Sequence, residues 1–283
     1  MRRRVLIGLA ALVALAAASR AALTAVHTYR YERATFSAPR EVPVRPSWPG
    51  LRDVAFGEGI AGWYAPPANG AVIVYVHGAP SNRAEHVALA RALADKGFGA
   101  LLFDLPGCGE SRGPIDWGAP SRAAISAAVS YALAQPGVRR LGAFGFSRGS
   151  AILAVEAADD PRVQALALAG VFPDARSALD EEFSRWGLLT QLPARWAAVS
   201  GGLRLEERQP IDGVARISPR PLLFIGGTRD ITVPLESTRR LFEAAREPKR
   251  LWVVQGARHG DYAGVLGGAY YDGVAAFFQE GLR

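Results

Sequence analysis

Gly145-Phe146-Ser147-Arg148-Gly149 stands between an apolar run, Leu141–Phe144, and a helix-prone run, Ser150–Ala158. A strand that turns straight into a helix has no room for side chains flanking the turn, which is why glycines bracket the serine. The turn lifts the hydroxyl off the end of the strand and leaves it at a helix N-terminus. A chain built around such a turn should alternate buried strands with helices.

It does. Ala71–Val76 is uninterruptedly apolar, the pattern of a strand covered on both faces. Gly99–Asp104, Arg139–Phe146, Val163–Ala169, Arg220–Gly227 and Arg250–Val254 read the same way. Helical patterns fill 83–96, 121–134, 235–245 and 263–280, with Ser81 or Asn82 as a cap and Gly97 as a stop. Short strands around Val54 and Ile60–Tyr64 form a hairpin leading into the sheet. The predicted fold is α/β, a mostly parallel sheet with helices on both faces.

A serine hydroxyl attacks poorly unless a base takes its proton, and the base needs a partner to fix its tautomer. The chain has four histidines. His27 lies at the end of the apolar N-terminus, His86 falls on a helix and reads as a surface residue, and His77 belongs to a His-Gly turn. His259 follows the last strand in a loop with Gly256 and Gly260, which makes it the candidate base. Asp230 follows the strand before that, either as a turn or cap residue or as the acid that orients His259.

The order Ser147, Asp230, His259 and four segments together resemble the α/β-hydrolase superfamily. The segments are His77-Gly78-Ala79-Pro80, Asp104-Leu105-Pro106-Gly107-Cys108-Gly109-Glu110-Ser111, the glycine-serine turn, and Asp230-Ile231-Thr232-Val233-Pro234 with His259. The resemblance runs from about Val54 to the C-terminus. It implies a catalytic triad of Ser147, Asp230 and His259, with structural roles for His77 and Asp104. It also implies an oxyanion hole from the backbone N–H groups of Ala79 and Arg148; Pro80 has no N–H to offer. The family usually has an apolar or amide residue where this chain has Arg148, whose guanidinium either is incidental or meets a carboxylate of the cap or substrate. The strand–helix rhythm stops over about 171–219, where the family inserts a helical cap; Trp186 and Trp196 there would line an acyl pocket or pin the cap to the sheet.

The formal charge of +7 invites a nucleic-acid reading. Lys96 and Lys249 are the only lysines, no basic stripe interleaves with aromatics, and removing the four arginines of the N-terminal segment leaves +3. No nucleic-acid partner is expected. Cys108 is the single cysteine, so no disulfide closes within the chain. Arg2–Arg4 precede an uncharged apolar run, Val5–Ser19, which extends to Val26 if Arg20 is tolerated. Residues 1–26 therefore read as a single-pass membrane anchor, or as a signal peptide cleaved after Ala16-Ala17-Ala18; the domain is extracytoplasmic in both versions. Residues 27–49 read as a linker, its polar part from Tyr29 to Arg45 a tether holding the domain off the bilayer. Residues 50–283 are the hydrolase domain.

The resemblance implies a serine hydrolase working through an acyl-enzyme on an ester-type bond of a small-molecule or lipid-like substrate, without cofactor or metal. A prolyl-type aminopeptidase on the same triad is the alternative, with Asp180-Glu181-Glu182 as the candidate clamp for a free amino terminus. A catalytically silent binding module is the third reading.

Overall fold

The computed structural model describes residues 2–37, 41–116, 118–183, 191–192, 195–196, 199–200 and 208–283. Trp186 lies outside the described residues. The strands are β1 (Arg52–Phe56), β2 (Ile60–Ala65), β3 (Ala71–Val76), β4 (Gly99–Phe103), β5 (Arg140–Phe146), β6 (Ala165–Ala169), β7 (Leu222–Gly227) and β8 (Lys249–Val254). They form one eight-stranded sheet in the order β1-β2-β4-β3-β5-β6-β7-β8. β1 and β2 are an antiparallel hairpin, β2 meets β4 antiparallel, and the remaining neighbours run parallel. The chain thus leaves β3 toward β4 and then returns to β5 on the other side. In an open α/β sheet, that reversal leaves a crevice beyond the strand ends in which ligands bind.

The period of two sorts each strand between two cores. Val72, Val74, Val76, Leu141, Ala143, Leu166, Leu168, Leu222 and Phe224 face one side. There they meet α3 (Ala119–Leu133), α4 (Arg148–Ala157) and Leu241 of the helix Leu235–Ala244. Ile73, Tyr75, Phe144, Ala165, Ala167, Leu223 and Ile225 face the other side, against α2 (Val87–Ala94) and the helix Gly268–Gly281. Fully burying a large apolar side chain contributes about 1.5–3 kcal/mol, so the double-sided burial of β3 and β5 anchors the middle of the sheet. Within 171–219 the described regular structure is helical: α5 (Ala175–Phe183), Pro210–Gly213 and a 3₁₀ turn at Val214–Arg216.

Several elements differ from the sequence reading: the helix expected over 83–96 opens as a 3₁₀ turn, Arg83–His86, before α2, and β8, expected to be covered on both faces, is partly exposed along its length. The expected helix over 263–280 is two, Tyr262–Leu266 and Gly268–Gly281, because Gly267 takes a positive φ of 57° between them. At the other end, α1 (Arg2–Ser37) is a single helix of 36 residues that runs through half of the expected linker. No proline or glycine interrupts it after Gly8, and the next breaker is Pro39. Its stretch Arg3–His27 is long and apolar enough to cross a membrane, with a mean hydropathy of 2.0 and nothing buried. The rest of the linker is fastened to the domain. Asn82 Nδ2 donates to Glu41 O at 3.3 Å, Arg91 Nη1 donates to Ser47 O at 2.8 Å, and Arg45 pairs with Asp53 at 3.1 Å.

Candidate active site

Ser147 closes β5 and opens α4 with φ 52° and ψ −123°, the one non-glycine among the described residues with positive φ. The motif's glycines explain how that conformation is held. A Cβ on Gly149 would lie 2.4 Å from both His77 O and Val76 O, and one on Gly145 would lie 2.8 Å from Ser150 Cα. Only glycine lets the first turn of α4 approach the end of β3 this closely. The Ser147 N–H donates to Ala169 O at 2.9 Å, which ties the turn to the neighbouring strand.

The loops after β7 and β8 bring the other two residues to the same edge. His259 Nε2 lies 3.0 Å from Ser147 Oγ, and His259 Nδ1 lies 2.7 Å from Asp230 Oδ2. Asp230 is buried, and its Oδ1 accepts from Thr232 N at 3.0 Å and Val233 N at 2.8 Å. Those two bonds fix the carboxylate so that Oδ2 faces the imidazole. An Nδ1–H donating to Asp230 leaves Nε2 as an acceptor for the serine proton, the tautomer general-base catalysis needs.

His77 has a different job. Leu105 N donates to its Nε2 at 3.0 Å and its Nδ1 meets Gly78 O at 2.8 Å, which stitches the β3 end to the loop after β4. Burial, aided by the Arg148 charge, lowers its pKa to about 3 and keeps it neutral. Asp104 is likewise structural. Its carboxylate accepts from Arg83 N at 2.7 Å and Glu110 N at 2.9 Å, and pairs with Arg83 Nη1. Burial outweighs these partners and raises its pKa. His86 is not a surface residue. It ends a 3₁₀ turn, Arg83–His86, and lies buried with its ring centroid 5.1 Å from that of Phe144 and Nε2 3.3 Å from Val76 O.

Around the expected oxyanion hole, the Gly78 N–H is committed to Glu85 Oε2 at 2.7 Å and the Ser147 N–H to Ala169. Arg148 is the first residue of α4, where a backbone N–H has no intrahelical acceptor. Its side chain is only 2 % exposed. Nη2 reaches Cys108 Sγ at 3.4 Å, while Nε and Nη1 are buried with no hydrogen-bond partner. The guanidinium meets no carboxylate of the described cap. Trp196 is 68 % exposed, so it does not pin the cap to the sheet. Asp180 accepts from Arg195 Nε at 2.6 Å and pairs with its Nη2, which occupies one member of the suggested amine clamp.

Four residues contribute to the site without having been given a role from the sequence. Phe146, the variable residue before the serine, sets its ring 4.8 Å from the His259 ring. Gly170 and Gly260 make space for these rings: a Cβ on Gly170 would lie 3.1 Å from His259 Cε1, and one on Gly260 2.9 Å from Phe146 Cζ. Glu85 holds the Gly78 peptide. The two glycines were visible at the ends of strand and loop; Phe146 and Glu85 carried no local signal.

A family profile for the alpha/beta hydrolase fold matches residues 71–193. The uncharacterized protein Rv2307c of Mycobacterium tuberculosis is 30% identical over 242 residues, covering 82% of this chain and 80% of that protein. The uncharacterized protein YfhR of Escherichia coli O157:H7 is 28% identical over 242 residues, covering 80% and 78%. Among solved structures, the Pyrococcus furiosus esterase Pf2001 superposes with a TM-score of 0.69 at 21% identity, over 86% of this chain and 98% of that one. Family profile, sequence relatives and structural likeness agree: this chain belongs to the α/β-hydrolase superfamily.

Proposed function

We propose that the chain is a serine hydrolase that cleaves an ester-type acyl bond through an acyl-enzyme. The observation that carries the reading is the continuous line from Asp230 Oδ2 to His259 Nδ1 at 2.7 Å and from His259 Nε2 to Ser147 Oγ at 3.0 Å. Ser147 Oγ attacks the acyl carbon and its proton passes to His259 Nε2. The Ala79 and Arg148 N–H groups receive the oxyanion, at a helix N-terminus whose dipole favours negative charge. Collapse breaks the bond to the leaving group, which departs with the proton from His259. Water then repeats the sequence on the acyl-enzyme and frees Ser147. Asp230 orients His259 and stabilises the imidazolium. No step calls for a cofactor or a metal. The esterase likeness supports a small-molecule substrate; a lipid-like acyl group belongs to the same proposal.

The aminopeptidase reading loses support with Asp180, whose carboxylate is already taken by Arg195. Substrate roles for Trp186 and Trp196 belong to the same proposal, Trp196 as an exposed wall at the cap. The apolar helix supports a single-pass anchor for residues 1–26, with Arg2–Arg4 retained in the cytoplasm and the hydrolase domain outside. Secretion or release to the periplasm after signal cleavage is the alternative.

A fluorophosphonate probe tests the chemistry on the full chain. Covalent labelling of the unsubstituted protein and none of Ser147→Ala is the expected result, and it would also dismiss the silent binding module. A panel of p-nitrophenyl esters beside aminoacyl amides separates ester from peptide chemistry. Turnover of amides alone would overturn the ester assignment.

A further inference from the structure

The anchor delivers the chain to the edge of the sheet that carries Ser147. Asn82, which donates to Glu41 O, lies five residues beyond His77 at the C-terminal end of β3, beside the nucleophile turn. The helix α1 continues from His27 to Ser37, about 15 Å at the rise of an α-helix. The four steps from Ser37 to Glu41 span at most about 14 Å. With residues 41–48 fastened to the domain, Glu41 lies within about 29 Å of His27 at full extension, so no long tether separates this edge from the end of the apolar stretch.

The same edge presents apolar side chains to solvent. Leu192, Trp196 and Val199 each have helical backbone, stand i, i+4 and i+7 in the sequence, and are 65%, 68% and 51% exposed. Arg195 and Gln191 bind Asp180 of α5, the helix that follows the end of β6, so this stretch sits over the C-terminal edge. Ile231, next to Asp230, is 63% exposed. Arg229 and Arg258, each one residue before a triad member, are exposed too. Apolar residues with an interfacial tryptophan, rimmed by arginine, match the surface of an anionic bilayer.

We propose that Leu192, Trp196 and Val199, with Ile231, form a second membrane contact that rests the mouth above Ser147 on the lipid surface. The acyl substrate then enters from the leaflet. This inference rests on reading the first helix as an anchor. A soluble-facing mouth would gain nothing from an exposed tryptophan between two exposed aliphatic residues, whereas burial in the interface removes all three from water.

The test uses the full chain in proteoliposomes of phosphatidylcholine and phosphatidylglycerol. An environment-sensitive fluorophore is placed at Leu192→Cys or Val199→Cys, and at Arg246→Cys, an exposed position before β8 at the opposite edge. Native Cys108 is buried, and the unsubstituted chain gives its background. Doxyl-labelled lipid should quench the probes at 192 and 199 about twofold or more over the probe at 246. Equal quenching at all three sites, in protein that floats with the vesicles, overturns the docking alone. Protein that does not float overturns the anchor reading and the inference with it. In a second arm, Leu192→Glu with Val199→Glu should slow hydrolysis of a long-chain ester held in vesicles about tenfold, the effect of placing charge in an interfacial face. Hydrolysis of a soluble short-chain ester should be unchanged. An equal loss on both esters overturns the docking, and an unsubstituted chain inactive on both points to failure of the hydrolase reading.

Discussion

Arg148 is a cation that the fold buries without a counter-charge in contact, so Arg148→Met should make the protein more stable and less active. Two of its nitrogens, Nε and Nη1, have no partner, and the third meets only a thiol. An unsatisfied buried donor costs about 1–3 kcal/mol, and more when charged. Methionine keeps the length and the apolar stem but removes the donors, at the expense of the contacts made by the guanidinium plane. A net gain of about 2 kcal/mol is expected, which raises the melting temperature by roughly 4–8 °C for a domain of this size. The same charge favours negative charge at the proposed oxyanion hole, to which Arg148 contributes its own backbone N–H. In a site of effective dielectric about 20, a unit charge contributes about 4 kcal/mol at ~4 Å and half of that at twice the distance. Losing it should lower kcat roughly tenfold to thirtyfold. Thermal melts and p-nitrophenyl ester kinetics on the two proteins suffice. A lower melting temperature with unchanged kcat would falsify the reasoning, because it would mean that Arg148 is a satisfied structural residue.

Other predictions follow from the same contacts. Ser147→Gly should abolish turnover yet stabilise the fold by about 1 kcal/mol in urea unfolding, since glycine accepts the positive φ of 52° without strain; a destabilised variant would contradict it. Gly149→Ala pushes a Cβ against two backbone carbonyls at 2.4 Å and should cost about 3 kcal/mol or more along with activity. His77 carries a folded pKa near 3 against about 6.5 unfolded, so the unfolded state takes up a proton first as pH falls. Stability should decline below pH ~6.5 by about 1.4 kcal/mol per pH unit from this group. His86, also lowered by burial, adds in the same direction, and Asp104, raised by burial, opposes at the acid end. Urea midpoints that stay flat between neutral pH and about pH 5 would refute the buried neutral state of His77.

The parts legible in the sequence were those whose cause is local. β3 and β7 announced themselves because strands covered on both faces must be apolar throughout. Ser147 and Asp230 could be found because each follows such a strand, and His259 because it follows the last strand, β8, which is only partly buried; the glycines of the turn are forced by contacts within a few residues or across one strand pair. What escaped was set by partners distant in the chain. His86 is buried against Val76 and Phe144, partners that helical periodicity cannot show. The pairing of Asp180 with Arg195 decides the fate of the amine clamp, yet nothing in either residue's neighbourhood announces it. The linker looked free because its polar composition suits a tether; only the contacts of Glu41, Arg45 and Ser47 with the domain show that it is fastened.

The central claim is that Ser147, His259 and Asp230 act as one unit, and a double-mutant cycle on kcat/KM measures this directly. Asp230→Asn alone should cost about 10⁴-fold by disturbing the tautomer of His259. His259→Ala should cost at least as much, and the double variant should lose little more than the worse single one. Losses that add in log kcat/KM would show that the two residues work independently, and the line of contacts from Asp230 to Ser147 would then not be a triad.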